Sequence, residues 1–501
     1  MNGLKTKHYT PTKIVAIIIG AALIICFRFL PAPAPITPTG MAVLGIFLGC
    51  VVLWSFVDVL WPSFLGILVF GFGGVAFSVY PNSILSASIY EATNRALGNY
   101  FITDLICMLL ITYVLKESGL IRRLTLWFLT RKISSKSPWS FTVMLFLASF
   151  ITCLFLENIA TVMIFWAITE EIFAEMKMTP DDRWARMVTV WLAFVTAIVS
   201  VSTPIGHGFP LLFMTVFNSL THIEINWIRY MAVAVPVALV ICVGMVAYMR
   251  LFVKPDMTKL ENADFSVISK MRAEIGKMKK QEKAILAIVI IMIILWLLPS
   301  IFSLTSPGTS IAAWMNALKA TTPLLMVIVY LSVVRIEGKP LLNVRDAMGN
   351  TDFSIIFFSA SVMLIASSLG ESTTGIVAWL NGALSPIVAN VGAFGLCAIV
   401  CIISIILTNI TSNVTVGILM MSVSIPIASS AGLDPFIVAL CVCLGSCSSY
   451  CLPTALTQIA ICCSRPFGGQ KYVFRWGLGA TVISIIATVL LVYALGGAFR
   501  F

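Results

Sequence analysis

Residues 394–420 read FGLCAIVCIISIILTNITSNVTVGILM, an apolar run that breaks at Ser412-Asn413-Val414-Thr415 and then resumes. Residues 141–166 read FTVMLFLASFITCLFLENIATVMIFW and break in the same way at Glu157-Asn158-Ile159-Ala160-Thr161. The two asparagines lie 255 positions apart. An amide or carboxylate is costly in hydrocarbon. It is tolerated where a hairpin tip or broken helix lines a watered cavity. There the chain exposes helix N-termini, which attract anions, and free carbonyls, which coordinate cations.

Two further pairs of marks keep nearly this spacing. Glu117-Ser118-Gly119-Leu120 follows the run 101–115, and Glu371-Ser372-Thr373-Thr374 follows the run 353–369, offset by 254. Some 40–50 residues after each tip comes a proline break, Thr203-Pro204-Ile205-Gly206 in one half and Leu452-Pro453-Thr454-Ala455 in the other. Proline lacks the amide that a helix interior needs, so it unwinds the chain there. Three marks in one order at nearly one offset predict two structural repeats. Repeats of this kind build secondary transporters, often with inverted topology. The expected division is an N-terminal segment with the first span (1–40) and a first repeat (41–253). A basic loop (254–283) and a second repeat (284–501) follow. The tips fall near 157–161 and 412–415, the breaks near 203–210 and 453–458.

Composition sets the environment. The chain is 59% hydrophobic and 11% charged, with mean hydropathy +1.02, against about 25% charged in a soluble domain. Lipid must cover the excess apolar surface. Runs of roughly 20 apolar residues, the length a spanning helix needs, occur at 14–30, 42–60, 226–252, 284–304, 394–408 and 476–498. With the broken segments, an all-α integral membrane protein of about 11 spans and two re-entrant hairpins is expected. No small-residue cleavage pattern follows Lys5, Lys7 and Lys13, so the first span is expected to stay in the protein. The net charge of +11 sits in loops, chiefly 254–283, which places that loop and the N-terminus in the cytoplasm and the protein in the inner (plasma) membrane. Membrane orientation accounts for the basic loop without nucleic acid as a partner. Cys443, Cys447 and Cys451 are spaced to share a helix face. Packing of small residues explains them better than a soft-metal site, because no histidine or carboxylate joins them.

The paired tips and breaks resemble the divalent anion/sodium symporter family, which includes bacterial dicarboxylate, citrate and sulfate transporters. Its signature is a Ser-Asn-Thr tripeptide in each repeat. Ser412-Asn413-Val414 matches two of three positions, and Glu157-Asn158-Ile159 matches only the asparagine. Gly119-Leu120-Ile121-Arg122-Arg123 is similar to the family's segment of a Gly-Leu pair before basic residues, and the two proline breaks are similar to its helix breaks. The resemblance covers about 40–500. It implies no cofactor, one cation site per repeat with sodium as the expected ion, and an anion held between the tips. It also implies a dimeric scaffold, with spans near 42–78 and 284–335, against which a transport domain moves as an elevator. Carried over by position, Thr408, Thr411, Asn413 and the backbone of Ala455 bind the second cation. Ser412, Asn413, Val414, Leu456 and Thr457 face the substrate. In the first repeat, Cys153, Asn158 and Ser200 stand at the cation positions, and Glu157, Asn158, Ile159 and His207 at the substrate.

The departures qualify the substrate. Glu157 replaces a serine, and a carboxylate there repels an anion unless it is protonated or neutralised. Three roles stay open for it: a proton-coupling group, a stronger sodium ligand, or a partner of His207. His207 in turn is a candidate substrate ligand, a pH sensor or a hydrogen-bonded packing residue. Ile159 and Val414 replace threonines, and Pro210 an asparagine, which points away from an ordinary C4-dicarboxylate. Asp58 reads as scaffold, and Glu91, Arg95 and Asp104 as a polar, interfacial stretch.

Other function classes fit less well. With only three histidines, His8, His207 and His222, no His-x-x-x-His, Gly-x-Ser-x-Gly or nucleotide-binding loop stands out, so neither an enzyme nor an ATP-driven pump is expected. A channel needs a continuous polar path, whereas paired mid-membrane breaks fit alternating access. The expected function is secondary transport of a small organic anion, di- or tricarboxylate-like, coupled to a cation. Proton coupling or exchange of another anion, such as sulfate, a sulfonate or a monocarboxylate, is the alternative.

Overall fold

A computed structural model of the protein describes residues 10–85, 87–204, 206–261, 266–306, 308–318, 321–350, 354–453 and 456–498. Among these, helices carry the architecture, and the two-residue strands Arg335–Ile336 and Lys339–Pro340 form one small antiparallel pairing. Eight described helices are long and apolar enough to cross a membrane, or nine if the bent pair Ser88–Leu97 and Tyr100–Glu117 is one span. The chain is an all-α membrane protein. This count is lower than the expected 11 because several apolar helices are short. Pro138–Cys153, Gly208–Thr221 and Pro435–Ser446 have 16, 14 and 12 residues. At about 1.5 Å per residue they reach roughly 18–24 Å, less than the ~30 Å hydrocarbon core.

The helix order repeats. After Tyr100–Glu117 come Leu120–Leu129, Pro138–Cys153, Asn158–Glu175, Arg183–Ser200, Gly208–Thr221 and Trp227–Tyr248. After Ser354–Gly370 come Ile376–Ile410, Asn413–Ser430, Pro435–Ser446, Thr457–Ser464 and Gln470–Ala498. Ile376–Ile410 supplies two elements of this series, because Gly392 bends it at φ 69°, ψ 175°, a conformation open to glycine. Asn158–Glu175 and Asn413–Ser430 each have 18 residues. The residues before them share a backbone conformation: φ −54°, ψ 143° at Glu157 and φ −57°, ψ 133° at Ser412.

Direction can be read from contacts. Trp227–Tyr248 and Gln470–Ala498 pack antiparallel at close range. A Cβ on Gly244 would sit 2.8 Å from Ile483, and one on Gly479 would sit 2.4 Å from Tyr248. Arg183–Ser200 starts near the C-terminal end of Trp227–Tyr248, where Lys259 pairs with Asp182 at 2.8 Å and Arg183 donates to the Val253 carbonyl at 3.3 Å. Pro435–Ser446 starts near the other end, where Arg229 pairs with Asp434 at 2.7 Å. These two helices enter from opposite ends and run inward. The Tyr230 hydroxyl ties their inner parts together: it donates to the Val201 carbonyl and lies 3.5 Å from Cys443 Sγ.

The basic segments gather at one end. Arg123 pairs with Glu282 at 2.9 Å, Arg272 donates to Thr130, and Lys259 reaches Asp182. Three of the other charges singled out in the sequence have structural partners. Asp58 accepts from the Leu60 amide at a helix start, Glu91 pairs with Arg95, and Arg95 lies 3.4 Å from the centre of the Tyr80 ring. Asp104 is buried in Tyr100–Glu117.

Candidate functional site

In the first half, four helix ends converge. Pro138–Cys153 ends and Asn158–Glu175 begins at the tip; Arg183–Ser200 ends and Gly208–Thr221 begins at the break. The helix therefore restarts at Asn158 and again at Gly208. Three contacts close tip on break. Cys153 Sγ donates to the Thr196 carbonyl at 3.5 Å, and the Thr203 hydroxyl donates to the Leu154 carbonyl at 2.5 Å. A Cβ on Gly206 would lie 2.5 Å from the Cys153 carbonyl and 2.7 Å from that of Ser200, so only glycine fits.

The second half repeats the pattern. Helices end at Ile410 and Ser446 and begin at Asn413 and Thr457. Thr408 Oγ1 donates to the Ser446 carbonyl at 2.6 Å, and Asn413 Nδ2 to Cys447 Sγ at 3.6 Å. Ser449 Oγ donates to the Thr408 carbonyl, at 3.3 Å. Asn409 Oδ1 accepts from the Cys451 amide at 3.0 Å. Between them Pro435–Ser446 stops well before Pro453.

Helix N-termini favour anions and C-termini favour cations. In the first cluster the side chains of Glu157 and His207 already cap the two N-termini, and in the second the contacts join the ends at Ile410 and Ser446 to the start at Asn413. Asn158, Asn413, Cys153, Ser200 and Thr408 are buried, and Leu456 with them. Glu157, Ile159, His207, Thr411, Ser412 and Val414 are half-buried, while Thr457 is exposed. Ala455 lies outside the described residues. The Thr411 hydroxyl is buried with no hydrogen-bond partner among the described residues. With Asn413 Nδ2 engaged, its Oδ1 is left to accept or coordinate. Thr408, Thr411 and Asn413 together offer hard oxygens.

Glu157 and His207 turn out to be helix caps. Glu157 Oε2 accepts from the amides of Ile159 at 2.8 Å and Ala160 at 3.2 Å. His207 Nδ1 accepts from the Phe209 amide at 3.0 Å. The structure does not bring the two into hydrogen-bond contact. Ser200 Oγ donates within its own helix, to Ala197 at 3.3 Å. The three cysteines face different partners: Cys443 meets Tyr230, Cys447 meets Asn413 and Cys451 meets Thr481. Sequence reasoning missed Asn409, Ser449 and Gln458. Gln458 is buried, and neither polar atom of its amide has a partner among the described residues. Its position one residue after Thr457 was the available signal.

A model of the citrate transporter family, CitMHS, matches residues 11–443. The sodium-dependent dicarboxylate transporter SdcS of Staphylococcus saprophyticus is 22% identical over 99% of this chain and 93% of its own. The Neisseria gonorrhoeae MtrF structure, described with a class of antimetabolite efflux pumps, shares the fold. Its TM-score is 0.53 at 14% identity, covering 97% of this chain and 95% of MtrF. These relatives are transporters, and the match to the family model spans most of the chain. The protein is a member of the CitMHS citrate transporter family, within the divalent anion/sodium symporter type.

Proposed function

We propose that this protein is a secondary active transporter that carries a small organic anion of the di- or tricarboxylate kind, coupled to sodium. The observation that carries the reading is the paired closure of tip on break, which each half makes through hydrogen bonds between the tip and the end of the helix before the break. In the second cluster Thr408, Thr411 and Asn413 hold the cation; Ala455, the fourth expected ligand, lies outside the described residues. Thr411's unpartnered hydroxyl supports this role. Ser412, Asn413, Val414, Leu456 and Thr457 face the anion there, as Glu157, Asn158, Ile159 and His207 do in the first cluster. Cys153 offers sulfur where Thr408 offers oxygen, and Ser200 bonds within its helix, so the first cation site with Asn158 is the weaker one.

The antiparallel packing of Trp227–Tyr248 on Gln470–Ala498 supports inverted repeats, since these helices occupy the same place in the two series. In this reading the tips move with the broken helices as an elevator against a homodimeric scaffold. The basic end, with the N-terminus, is cytoplasmic in the plasma membrane.

The test is uptake of labelled succinate, citrate and sulfate into proteoliposomes under a sodium gradient, a proton gradient or preloaded anion alone. Sodium-driven uptake of a carboxylate is the expected result. Uptake driven only by protons or by preloaded anion would transfer coupling to Glu157 and overturn the sodium assignment. Uptake of none, or of sulfate alone, would overturn the carboxylate assignment.

A further inference from the structure

Two adjoining cavities lie at the basic end, between the first hairpin and the helix Lys280–Thr305. One, of about 460 Å³, is walled by hydrocarbon from Leu115, Ile121, Phe155, Leu156, Val289 and Ile290. The other, of about 430 Å³, is lined by Arg123, Arg272, Lys277 and Lys283. Arg123, Trp127 and Met278 border both, so one continues into the other.

The charge balance is one-sided. Glu282 pairs with Arg123 at 2.9 Å, yet Arg123 Nε is buried without a hydrogen-bond partner among the described residues. Among those residues, no carboxylate pairs with Lys277 or Lys283. The apolar cavity opens outward past Leu286 and Ile290, which are 38% and 47% exposed on a helix long enough to span. Trp127, 41% exposed with the Arg131 guanidinium 3.7 Å from its ring centre, is of a residue type enriched at membrane interfaces. A soluble anion would use the basic cavity and leave the apolar one empty. An acyl chain with a neutral headgroup would leave the cations unmatched.

We propose that the two cavities bind one anionic phospholipid, with an acyl chain in the apolar cavity and the phosphate on Arg123, Lys277 and Lys283. Basic pockets between spanning helices suit such headgroups. The apolar wall includes Phe155 and Leu156, immediately before Glu157 at the first tip. The lipid therefore joins this tip to Lys280–Thr305. The proposal does not depend on which substrate is carried.

The experiment is native mass spectrometry of the full chain in mild detergent, titrated with phosphatidylglycerol or with phosphatidylcholine of the same chains. Preferential retention of phosphatidylglycerol is expected. The double variant Lys277→Gln/Lys283→Gln weakens it by roughly tenfold. Leu286→Trp, which fills the apolar cavity, weakens retention of either lipid, and an unchanged melting temperature certifies folding of both variants. Equal retention of the two lipids by the unaltered chain would overturn the proposal. So would unchanged phosphatidylglycerol binding in both folded variants, its displacement by millimolar inorganic phosphate, or a retained polypeptide in place of lipid. If either variant melts early, Lys277→Glu alone decides by the same criterion, since it reverses a charge on an exposed side chain.

Discussion

At the second tip, Thr408 gives its hydroxyl to the Ser446 carbonyl at 2.6 Å; at the first, the residue 255 positions earlier is Cys153, whose thiol reaches the Thr196 carbonyl at 3.5 Å. The helix beyond the second tip begins behind Ser412, which makes no side-chain cap; the helix beyond the first begins behind Glu157, whose carboxylate takes two backbone amides. One tip therefore presents unengaged oxygens, and the other carries a charge already committed to its own helix. Under the proposed function, this shared backbone with different side-chain chemistry becomes a division of labour, with the cation held at the second tip and the adjustable charge at the first.

The sharpest way to break this comparison is to remove the matched amides. Asn413→Ala is expected to lower sodium-driven uptake by about 10- to 100-fold, the scale of a lost hydrogen bond to a charged group, and Asn158→Ala by less. Initial rates in proteoliposomes decide it. A larger loss for Asn158→Ala would place the dominant cation site at the first tip.

Glu157→Gln probes the charge alone. The amide oxygen can still accept from Ile159 and Ala160, so stability should change by no more than about 1 kcal/mol. The expected change is in the ion dependence: a flatter pH profile of uptake, an altered sodium requirement, or both. Normal transport with both profiles unchanged would remove Glu157 from coupling.

Exchange of the hydrogen-bonding atoms comes next. Thr408→Val leaves the Ser446 carbonyl without its buried donor and should cost about 1–3 kcal/mol, read as a lower melting temperature. Cys153→Ser replaces sulfur by oxygen at nearly constant shape. It should raise apparent sodium affinity if the first site is weak because of its thiol. An unchanged affinity would show that Cys153 only packs.

Much of this comparison was legible before the structure. Asn158 and Asn413 stand out because amides are expensive in hydrocarbon, and Pro204 and Pro453 because they cannot continue a helix. Which groups meet was not legible. Asn409 reads as one more polar residue before the tip, yet it accepts from the Cys451 amide across the second break. That contact exists because Pro435–Ser446 stops at Ser446, and nothing at Cys447 announces a stop. The same early stop removes Cys451 from the helix face predicted for the three cysteines. The capping by Glu157 depends on a helix that stops at Cys153 and a chain that turns through Leu154–Leu156 to bring Glu157 to the next helix start, which spacing alone could not show. The span count rests on hydropathy, which registers an apolar helix but does not reveal where it ends, as with the 12-residue Pro435–Ser446.

The smallest expected effects lie at the outer starts of the helices that lead into the breaks. Arg229–Asp434 has side chains 15% and 18% exposed, and Arg229 lies 4.2 Å from the centre of the Phe436 ring. Lys259–Asp182 is looser, with Lys259 49% exposed. Arg229→Ala should therefore destabilise more than Lys259→Ala, which should cost less than about 1 kcal/mol after solvent screening. Burial raises the Asp182 carboxyl, but hydrogen bonds from Lys259 and Thr179 outweigh it and hold it below its usual range. Its contribution is present above the unfolded carboxylate value of about 3.9 and fades as pH falls through the lower folded value. Melting temperatures of Lys259→Ala and the unaltered chain should thus differ slightly at neutral pH and converge on acidification; a gap that widens toward acid would show that this pair does not anchor the helix into the first break.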